Sequence, residues 1–279
     1  MSRPPRRQPY DRSATAAERS ATAPELQYQT NFTGAPGAPS KMYLGAHRAH
    51  KAQKIVAVLR AHLGDVGQLR LLDLSCSTGI MAEVFAAHFR EVVGIDIDER
   101  ALAHGRANRA RDNLELLQMD ALDTSFASGS FDVAICNHMY EHVPDAARLF
   151  AEIHRVLRPG GVCYFGGNNR LKIVEPHYGP MPFLSWLPKP LAHRYMRLMR
   201  KGDYYYETHF TFWTLERLVA QFERHDYTLR VLADPARFAA TDLVSPGSLP
   251  QRLGLLVGRY AYWALPGYIW LLEKPRTPA

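Results

Sequence analysis

The sequence is poor in cysteine and has no apolar run near its start. Cys76, Cys136 and Cys163 are its only cysteines, too few and too far apart for a disulfide framework or a cysteine-based zinc site. Each lies in an apolar run, so we expect reduced core cysteines, and we predict no metal site. Residues 1–30 lack the apolar segment of a secretory signal, which favours a cytoplasmic protein.

Positive charge is not spread evenly along the chain. The formal net charge is +7, of which residues 1–40 carry +2 and residues 170–201 carry +6, so the remainder is close to neutral. Residues 1–40 are rich in Ser, Thr, Ala, Pro and Arg and show no periodicity, which predicts a disordered tail. Residues 41–279 form one predicted domain, and its basic excess lies in a single internal segment.

Apolar periodicity predicts alternating strands and helices along this domain. Short apolar runs, typical of strands buried on both faces, occur at 69–74, 91–95, 114–118, 131–136 and 161–165. Helical spacing occurs at 43–63, 79–89, 98–109, 145–157 and 213–224, and further strands are predicted at 227–232 and 267–272. This alternation is typical of an α/β fold, with a mostly parallel sheet and helices on both of its faces.

Acidic residues follow the first three predicted strands. Asp73 lies in the first strand, Asp96 ends the second, and Asp120 follows the third. In an open parallel sheet, ligands bind beyond the carboxyl ends of the strands, where an acid at such a position accepts ribose hydroxyls. The sequence therefore predicts a nucleotide-like ligand at this edge.

Five motifs resemble those of class I S-adenosylmethionine-dependent methyltransferases, especially the small-molecule and lipid-type branch. In order, they read D-L-S-C-S-T-G, G-I-D-I-D, Q-M-D-A, F-D-V-A-I-C-N-H-M-Y-E-H-V and L-R-P-G-G. The resemblance covers roughly residues 45–230. It implies a doubly wound, Rossmann-like sheet of seven strands whose last strand is antiparallel. It also implies S-adenosylmethionine as cofactor and methyl transfer as the reaction.

The resemblance implies a place for each part of the cofactor. Asp96 would hold the ribose and Asp120 the adenine amine, with Ile97 and Ala121 lining the adenine pocket. Asn137 would lie beside the methionine part. The first loop would surround that same part with Asp73, Ser75, Cys76, Ser77 and Gly79.

The first loop departs from the family pattern at two positions. Ser75 and Ser77 stand where the family usually has glycine. Serine tolerates a positive φ poorly, but its hydroxyl can donate a hydrogen bond to a ligand. The loop also lacks the G-x-G-x-x-G pattern of a dinucleotide-binding oxidoreductase, which disfavours that alternative.

Four histidines are candidate general bases for methyl transfer. An oxygen acceptor usually needs such a base, whereas a carbon acceptor needs a stabilised carbanion. His138 and His142 follow the fourth predicted strand, and His177 and His209 bracket residues 170–210. A hydrogen-bonded structural role is the alternative for each. Oxygen is the favoured acceptor atom and carbon the second choice.

Residues 170–210 are predicted to form a helical cap over the acceptor site. Within it, residues 191–200 have amphipathic spacing, with Leu191, Tyr195, Leu198 and Met199 on one face. The opposite side carries Arg194, Arg197, Arg200 and Lys201. A basic face rimmed by aromatics suits a phosphate, a lipid headgroup or an anionic membrane surface. A merely solvated basic face is the alternative.

The end of the chain has one long apolar stretch. Residues 253–272 contain a single charge, Arg259, but also glycines, a proline and tyrosines that weaken a membrane-span interpretation. A helical insertion at 235–264, ending in a helix at 249–264, followed by the final strand is the favoured prediction.

The favoured function is methyl transfer to a small molecule that is lipid-linked, glycosylated or aromatic. A nucleic-acid substrate is the first alternative. It is disfavoured because Asn137-His138-Met139-Tyr140 lacks the two prolines typical of amino-methylating enzymes of nucleic acids. A non-catalytic module that keeps the cofactor fold is the second alternative. We expect a cytoplasmic protein whose basic cap contacts anionic membranes.

Overall fold

A computed structural model describes residues 45–175 and 177–276. The predicted tail at 1–40 lies outside these residues. The α-helices are α1 (Gly45–Leu63), α2 (Ile80–Ala86), α3 (Glu99–Asn108), α4 (Ala146–Val156), α5 (Lys189–Leu198), α6 (Phe212–Leu218), α7 (Thr228–Ala233) and α8 (Leu249–Tyr260). The strands are β1 (Arg70–Asp73), β2 (Glu91–Asp96), β3 (Leu114–Gln118), β4 (Phe131–Asn137), β5 (Leu157–Asn168), β6 (Val174–Glu175), β7 (Met181–Pro182), β8 (Glu223–Asp226) and β9 (Gly267–Glu273).

Seven of these strands form one sheet in the order β3-β2-β1-β4-β5-β9-β8. The first five pair in parallel, and β9 pairs antiparallel with both β5 and β8. The last strand therefore runs against its neighbours inside the sheet, between β5 and β8. This arrangement confirms the predicted doubly wound, Rossmann-like fold.

The sheet is covered on both faces, which explains its apolar strands. Leu71 and Val92 pack in one core with α1 and α2, while Leu72 and Val93 pack in a second core with α4. Successive side chains of a strand point to opposite faces, so each strand contributes to both cores. The three cysteines are buried and free, as expected.

The segment between α6 and β9 differs from its prediction. The predicted helix at 213–224 ends at Leu218, a strand occupies Glu223–Asp226, and the predicted strand at 227–232 is helix α7. The strand was missed because an edge strand needs only one partner, so a short polar segment forms it by pairing with β9. The apolar residues Leu229 and Leu232 instead pack against glycines of α8 at helical spacing.

Residues 170–210 form a small layer with its own core. The core contains Met181, Leu184, Ala192, Met196 and Tyr205. Helix α5 buries Ala192 and Met196, whereas Leu191 and Leu198 are 49% and 79% exposed. The apolar face predicted from the spacing is therefore not the face that α5 buries, because the shallow core accepts the smaller alanine and the flexible methionine. Apolar and basic side chains share the outer face of this helix.

The apolar stretch near the end of the chain divides as predicted. Helix α8 is followed by a 3₁₀ turn at Tyr262–Ala264 and then by β9. Glycines at 254 and 258 allow close packing, since a Cβ at Gly254 would lie 2.9 Å from Leu232. In the described part of the chain, no helix combines the length and apolar character that a bilayer span requires.

Candidate functional site

The strand order reverses between β1 and β4, which creates a crevice at the carboxyl ends of the strands. Strand β1 lies between β2 and β4, so the chain winds outward in both directions from it. Asp73 ends β1 and Asp96 ends β2. The backbone N–H of Met119 donates to the Asp96 carbonyl at 3.0 Å, which brings the loop containing Asp120 to the same edge. Such a switch point is where this fold binds ligands.

The loop after β1 is held against the Asp96 carboxylate by its backbone. The Ser77 N–H donates to one Asp96 oxygen at 2.8 Å, and the Asp98 N–H donates to the other at 3.0 Å. Ser77 has a φ of 51° and Gly79 a φ of 74°. Ser77 therefore takes the left-handed conformation that favours glycine, whereas Ser75 does not. The hydroxyls of Ser77 and Thr78 are buried without a hydrogen-bond partner among the described residues.

The crevice concentrates buried negative charge. Burial raises the pKa of Asp73 to about 7, and burial also raises the pKa of Asp96. Arg48 of α1 lies close enough for both carboxylates to act on it, although burial lowers the pKa of its guanidinium. One buried acid, one partly buried acid and two orphaned hydroxyls match a ligand with cationic groups and hydroxyls. The residues therefore fit the predicted cofactor.

The remaining predicted cofactor residues are placed as follows. The Cys76 thiol packs in the core, where burial raises its pKa. Only the backbone of Cys76 is therefore available to a ligand. Ile97 follows β2 directly, and Ala121 is buried below the Asp120 turn, in which the Asp120 carboxylate accepts from Leu122 N–H at 2.9 Å. The Asn137 carboxamide lies against Gly166, where a Cβ would be 2.5 Å from its oxygen.

A cavity of about 570 Å³ opens beside this crevice. Its lining is mainly apolar, from α7, α8 and the start of β9, and includes Val231, Leu232, Leu265 and Ile269. Its volume is that of a small-molecule site. No described residue of 170–210 lines it, so the predicted cap does not cover this cavity. The helical insertion at 235–264 forms the wall instead, since its residues pack across α7.

One wall of the cavity is polar and comes from α1 and the end of β4. His47, Lys51 and Lys54 face it from α1, and Asn137 and His138 from β4. Burial lowers the pKa of Lys51 to about 8, with the Arg48 charge acting in the same direction. These basic residues were missed in the sequence. Their spacing of four and three positions along one helix face was the available signal.

His138 connects the cavity to a buried carboxylate. Its Nδ1 lies 3.5 Å from Oε1 of Glu141, and its φ of 52° is unusual for a residue other than glycine. Burial lowers the pKa of His138, which keeps the ring neutral near pH 7. Burial alone would raise the pKa of Glu141, but the hydrogen bond and charge of His138, with the neighbouring histidines, lower it to about 2.

The other three candidate histidines lie around two further carboxylates, those of Glu175 and Glu207. The rings of His142 and His177 are 5.5 Å apart, and those of His177 and His209 are 6.1 Å apart. Glu175 is fully buried and contacts His177 Nδ1 at 2.5 Å and His209 Nε2 at 3.0 Å. The structure thus brings the four histidines into one region, although they come from well-separated segments of the sequence.

The charges of this histidine cluster are balanced internally. Lys172 Nζ lies 2.7 Å from Glu175 Oε2, and Tyr205 donates to the same carboxylate at 2.9 Å. Although burial opposes it, the hydrogen bonds of His177 and His209 and the charge of Lys172 lower the pKa of Glu175. The Glu175 hydrogen bond in turn raises the pKa of His177. Burial lowers the pKa of His142. Lys172, Glu175 and Tyr205 were missed because nothing in their spacing marks a shared site.

Comparisons with known proteins agree with this geometry. Residues 72–165 match the family described as a methyltransferase domain. The chain is 38% identical over 139 residues to a ubiquinone biosynthesis O-methyltransferase of Aromatoleum aromaticum, covering 48% of this chain and 59% of the relative. It is 30% identical over 150 residues to a protein of the same name from Acinetobacter baumannii, covering 50% and 61%. The chain thus spans about 60% of the length of these curated relatives.

A solved structure supports the fold. The S-adenosylmethionine dependent methyltransferase from Mesorhizobium loti superposes with a TM-score of 0.50 at 20% identity, covering 87% of this chain and 99% of that chain. Residues 72–165 carry a methyltransferase domain, in agreement with the ubiquinone biosynthesis O-methyltransferases that the chain resembles. The resemblance of its five motifs to that family is therefore confirmed.

Proposed function

We propose that this protein transfers a methyl group from S-adenosylmethionine to an oxygen of a small, largely apolar aromatic acceptor. The observation that carries the proposal is the mainly apolar cavity that adjoins the acidic crevice and has His138 in its wall. The fold would thus place a site for a cationic nucleoside derivative beside a site for a hydrophobic molecule. The bound cofactor supplies an electrophilic methyl group on its sulfonium.

The acidic crevice would bind and orient the cofactor. Asp96 would accept the ribose hydroxyls and Asp120 the adenine amine, while Asp73 would face the cationic methionine part. The charge of Arg48 interacts with Asp73 and Asp96, so we propose that Arg48 binds the cofactor carboxylate. Methyl transfer mainly needs alignment and exclusion of water, because the methyl group is already activated.

His138 is the proposed general base. It lines the cavity, its ring stays neutral because burial lowers its pKa, and Glu141 faces its Nδ1. Its Nε2 would accept the acceptor hydroxyl proton, and Glu141 would stabilise the resulting imidazolium. His142, His177 and His209 would position the loop and its charges, since Glu175 and Glu207 already engage them.

The acceptor class rests on the cavity and on the names of the relatives. The two curated relatives are named for O-methylation in ubiquinone biosynthesis. Lys51 and Lys54 are cations at the polar wall of the cavity. We therefore propose a phenol with an apolar substituent. Its phenolic oxygen would lie at the polar wall, and its substituent would lie against α7 and α8.

Product analysis tests this proposal directly. The full chain is incubated with methyl-labelled S-adenosylmethionine and phenols that carry apolar chains of increasing length. We expect a labelled aryl methyl ether by mass spectrometry. Val231→Phe, which narrows the cavity, should raise the acceptor KM about tenfold and leave cofactor affinity unchanged. Leu253→Phe on the exposed face of α8 is the matched control. RNA is incubated in the same way. Label on RNA but not on the phenols would favour the nucleic-acid alternative.

We also propose that the outer face of α5 contacts anionic membranes. Leu191, Leu198 and Met199 are exposed there beside Arg194 and Arg197, and an apolar acceptor would partition into the same membrane. Replacing both arginines with glutamine should abolish sedimentation with phosphatidylglycerol vesicles and leave cofactor affinity unchanged. Equal sedimentation of both proteins, or equal binding to phosphatidylcholine vesicles, would contradict this contact.

A further inference from the structure

A second group of histidines and acids lies at the far edge of the sheet. It contains His62 from the last turn of α1, Glu223 and His225 of β8, and Glu273 at the end of β9. Glu273, at the end of β9, pairs with Val162 of β5. Gly267, at the start of β9 and in the cavity wall, pairs with Asn168 at the carboxyl end of β5. The group is therefore at the opposite end of the sheet from the crevice, and the proposed function does not use it.

The ligand atoms of His62, His225 and Glu273 are close enough for a tetrahedral zinc site. His225 Nε2 lies 3.2 Å from Glu273 Oε2 and 3.8 Å from Glu223 Oε1, and His62 Nε2 lies 3.7 Å from the same Glu273 oxygen. Zinc bonds of about 2.0–2.2 Å place tetrahedral ligand atoms roughly 3.4 Å apart. Small side-chain rotations would therefore bring His62, His225 and Glu273 to one ion. Glu223, 3.8 Å from His225, would reach it by a larger rotation.

The strand register gives an independent reason for a cation here. Glu223 and Glu273 are direct partners across the antiparallel pair β8–β9. Like charges at such positions repel, and an ion between them would remove that cost. Residues two apart in a strand share a face, so Glu223 and His225 point the same way, towards His62. The rings of His62 and His225 are 4.6 Å apart.

We propose that His62, His225, Glu223 and Glu273 form a structural zinc site. Two imidazoles and two carboxylates neutralise the ion, and the site clamps the end of α1 to the sheet edge. Arg230 adds a positive charge near His62, which favours the neutral imidazole that binds a metal. No metal site was predicted from the sequence because the ligands come from three segments that lie far apart along the chain.

The other His and Glu groups are weaker candidates. Glu175, His177 and His209 also lie within ligand distance of one another. However, the Lys172 ammonium is already 2.7 Å from Glu175 Oε2 and 2.6 Å from His209 Nε2, where a metal ion would be. Glu141, His142 and His177 belong to the candidate catalytic region. Because both groups contain His177, the single variant His177→Gln tests both of them against the proposed zinc site.

Zinc binding to the full chain tests the site. The protein is stripped with a chelator, dialysed against Zn²⁺ alone, and its metal content is measured by mass spectrometry. We expect His62→Gln and His225→Gln each to lose about one zinc per chain relative to the original protein, while His177→Gln and His104→Gln keep it. Zinc should raise the Tm of the original protein by about 5 °C and leave that of His225→Gln unchanged.

Three results would overturn the proposal. They are no zinc on the original protein, the same zinc content in His62→Gln and His225→Gln as in the original, or a loss confined to His177→Gln. Far-ultraviolet circular dichroism shows that each variant is folded before metal is added. Glu273→Gln provides a second test, since it keeps the shape of the side chain and removes one ligand charge.

Discussion

The acidic crevice, proposed to bind the cofactor, and the apolar cavity, proposed to bind the acceptor, are built in different ways. The crevice is made by short turns after consecutive strands, and backbone N–H groups of those turns hold its Asp96 carboxylate. The cavity is assembled from α1, the ends of β4 and β5, α7, α8 and the start of β9. Local geometry therefore determines the crevice, and tertiary packing determines the cavity.

This difference explains how one fold can keep a cofactor and change an acceptor. Residues of the crevice cannot move without breaking strand pairing, because the same turns join the strands to their helices. Residues 235–264 of the cavity wall contain no strand of the sheet. We therefore expect substitutions in the crevice and in the cavity wall to have separable effects on cofactor and acceptor.

The largest expected effect is that of Asp96→Ala. A carboxylate that accepts two ribose hydroxyls contributes at least about 3 kcal/mol, so its loss should weaken S-adenosylmethionine binding more than about 100-fold. Isothermal titration calorimetry measures this loss, and turnover should fall below detection. Glu115→Ala, an exposed acid on β3, is the control and should bind the cofactor normally. Unchanged affinity in Asp96→Ala would refute the assigned crevice.

His138→Asn should separate chemistry from cofactor binding. Asparagine tolerates the left-handed backbone of this position and lacks the imidazole base. We expect kcat to fall about 100-fold or more while cofactor affinity changes less than twofold, and the remaining rate should rise with hydroxide concentration. His104→Gln, on the exposed side of α3, should keep the kcat and the cofactor affinity of the original protein. A normal kcat would mean that His138 only supports the loop.

A smaller effect is expected from the protonation of Asp73. Because burial raises the pKa of Asp73 to about 7, its carboxyl group is neutral below that pH and ionised above it. The ionised form attracts a cationic cofactor, so affinity should fall about tenfold between pH 8 and pH 6. Calorimetry in buffers of different ionisation enthalpy should detect proton release on binding at pH 7. Asp73→Asn should flatten this dependence, and a slope equal to that of the original protein would contradict it.

Sequence could predict the crevice because its signals are local. Each acid lies at the end of a predicted strand or within two residues of it, and parallel strands bring their carboxyl ends to one edge of a sheet. The apolar pattern also predicted the first five strands and β9, whose antiparallel direction was implied by the resemblance to the family. Its failures are at 213–232, where the polar edge strand Glu223–Asp226 is stabilised by one neighbour, and at α5, where burial depends on a small separate core.

The proposed acceptor site could be predicted only in part. The four candidate histidines were visible as residue types, but their common cluster depends on Lys172 and Glu175, which have no distinctive spacing. The basic face of α1 precedes the first motif and meets the cavity only through tertiary packing. The cavity wall at 235–264 was predicted as a helical insertion, without any indication that it faces the acceptor.

A crystal structure of the protein with S-adenosylhomocysteine would test the central claim most directly. The measured distances would be those from Asp96 to the ribose hydroxyls, and from the cofactor sulfur to the cavity wall at His138. The account predicts hydrogen bonds at Asp96 and a sulfur that faces the cavity. A ligand elsewhere, or a sulfur separated from the cavity by protein, would contradict it.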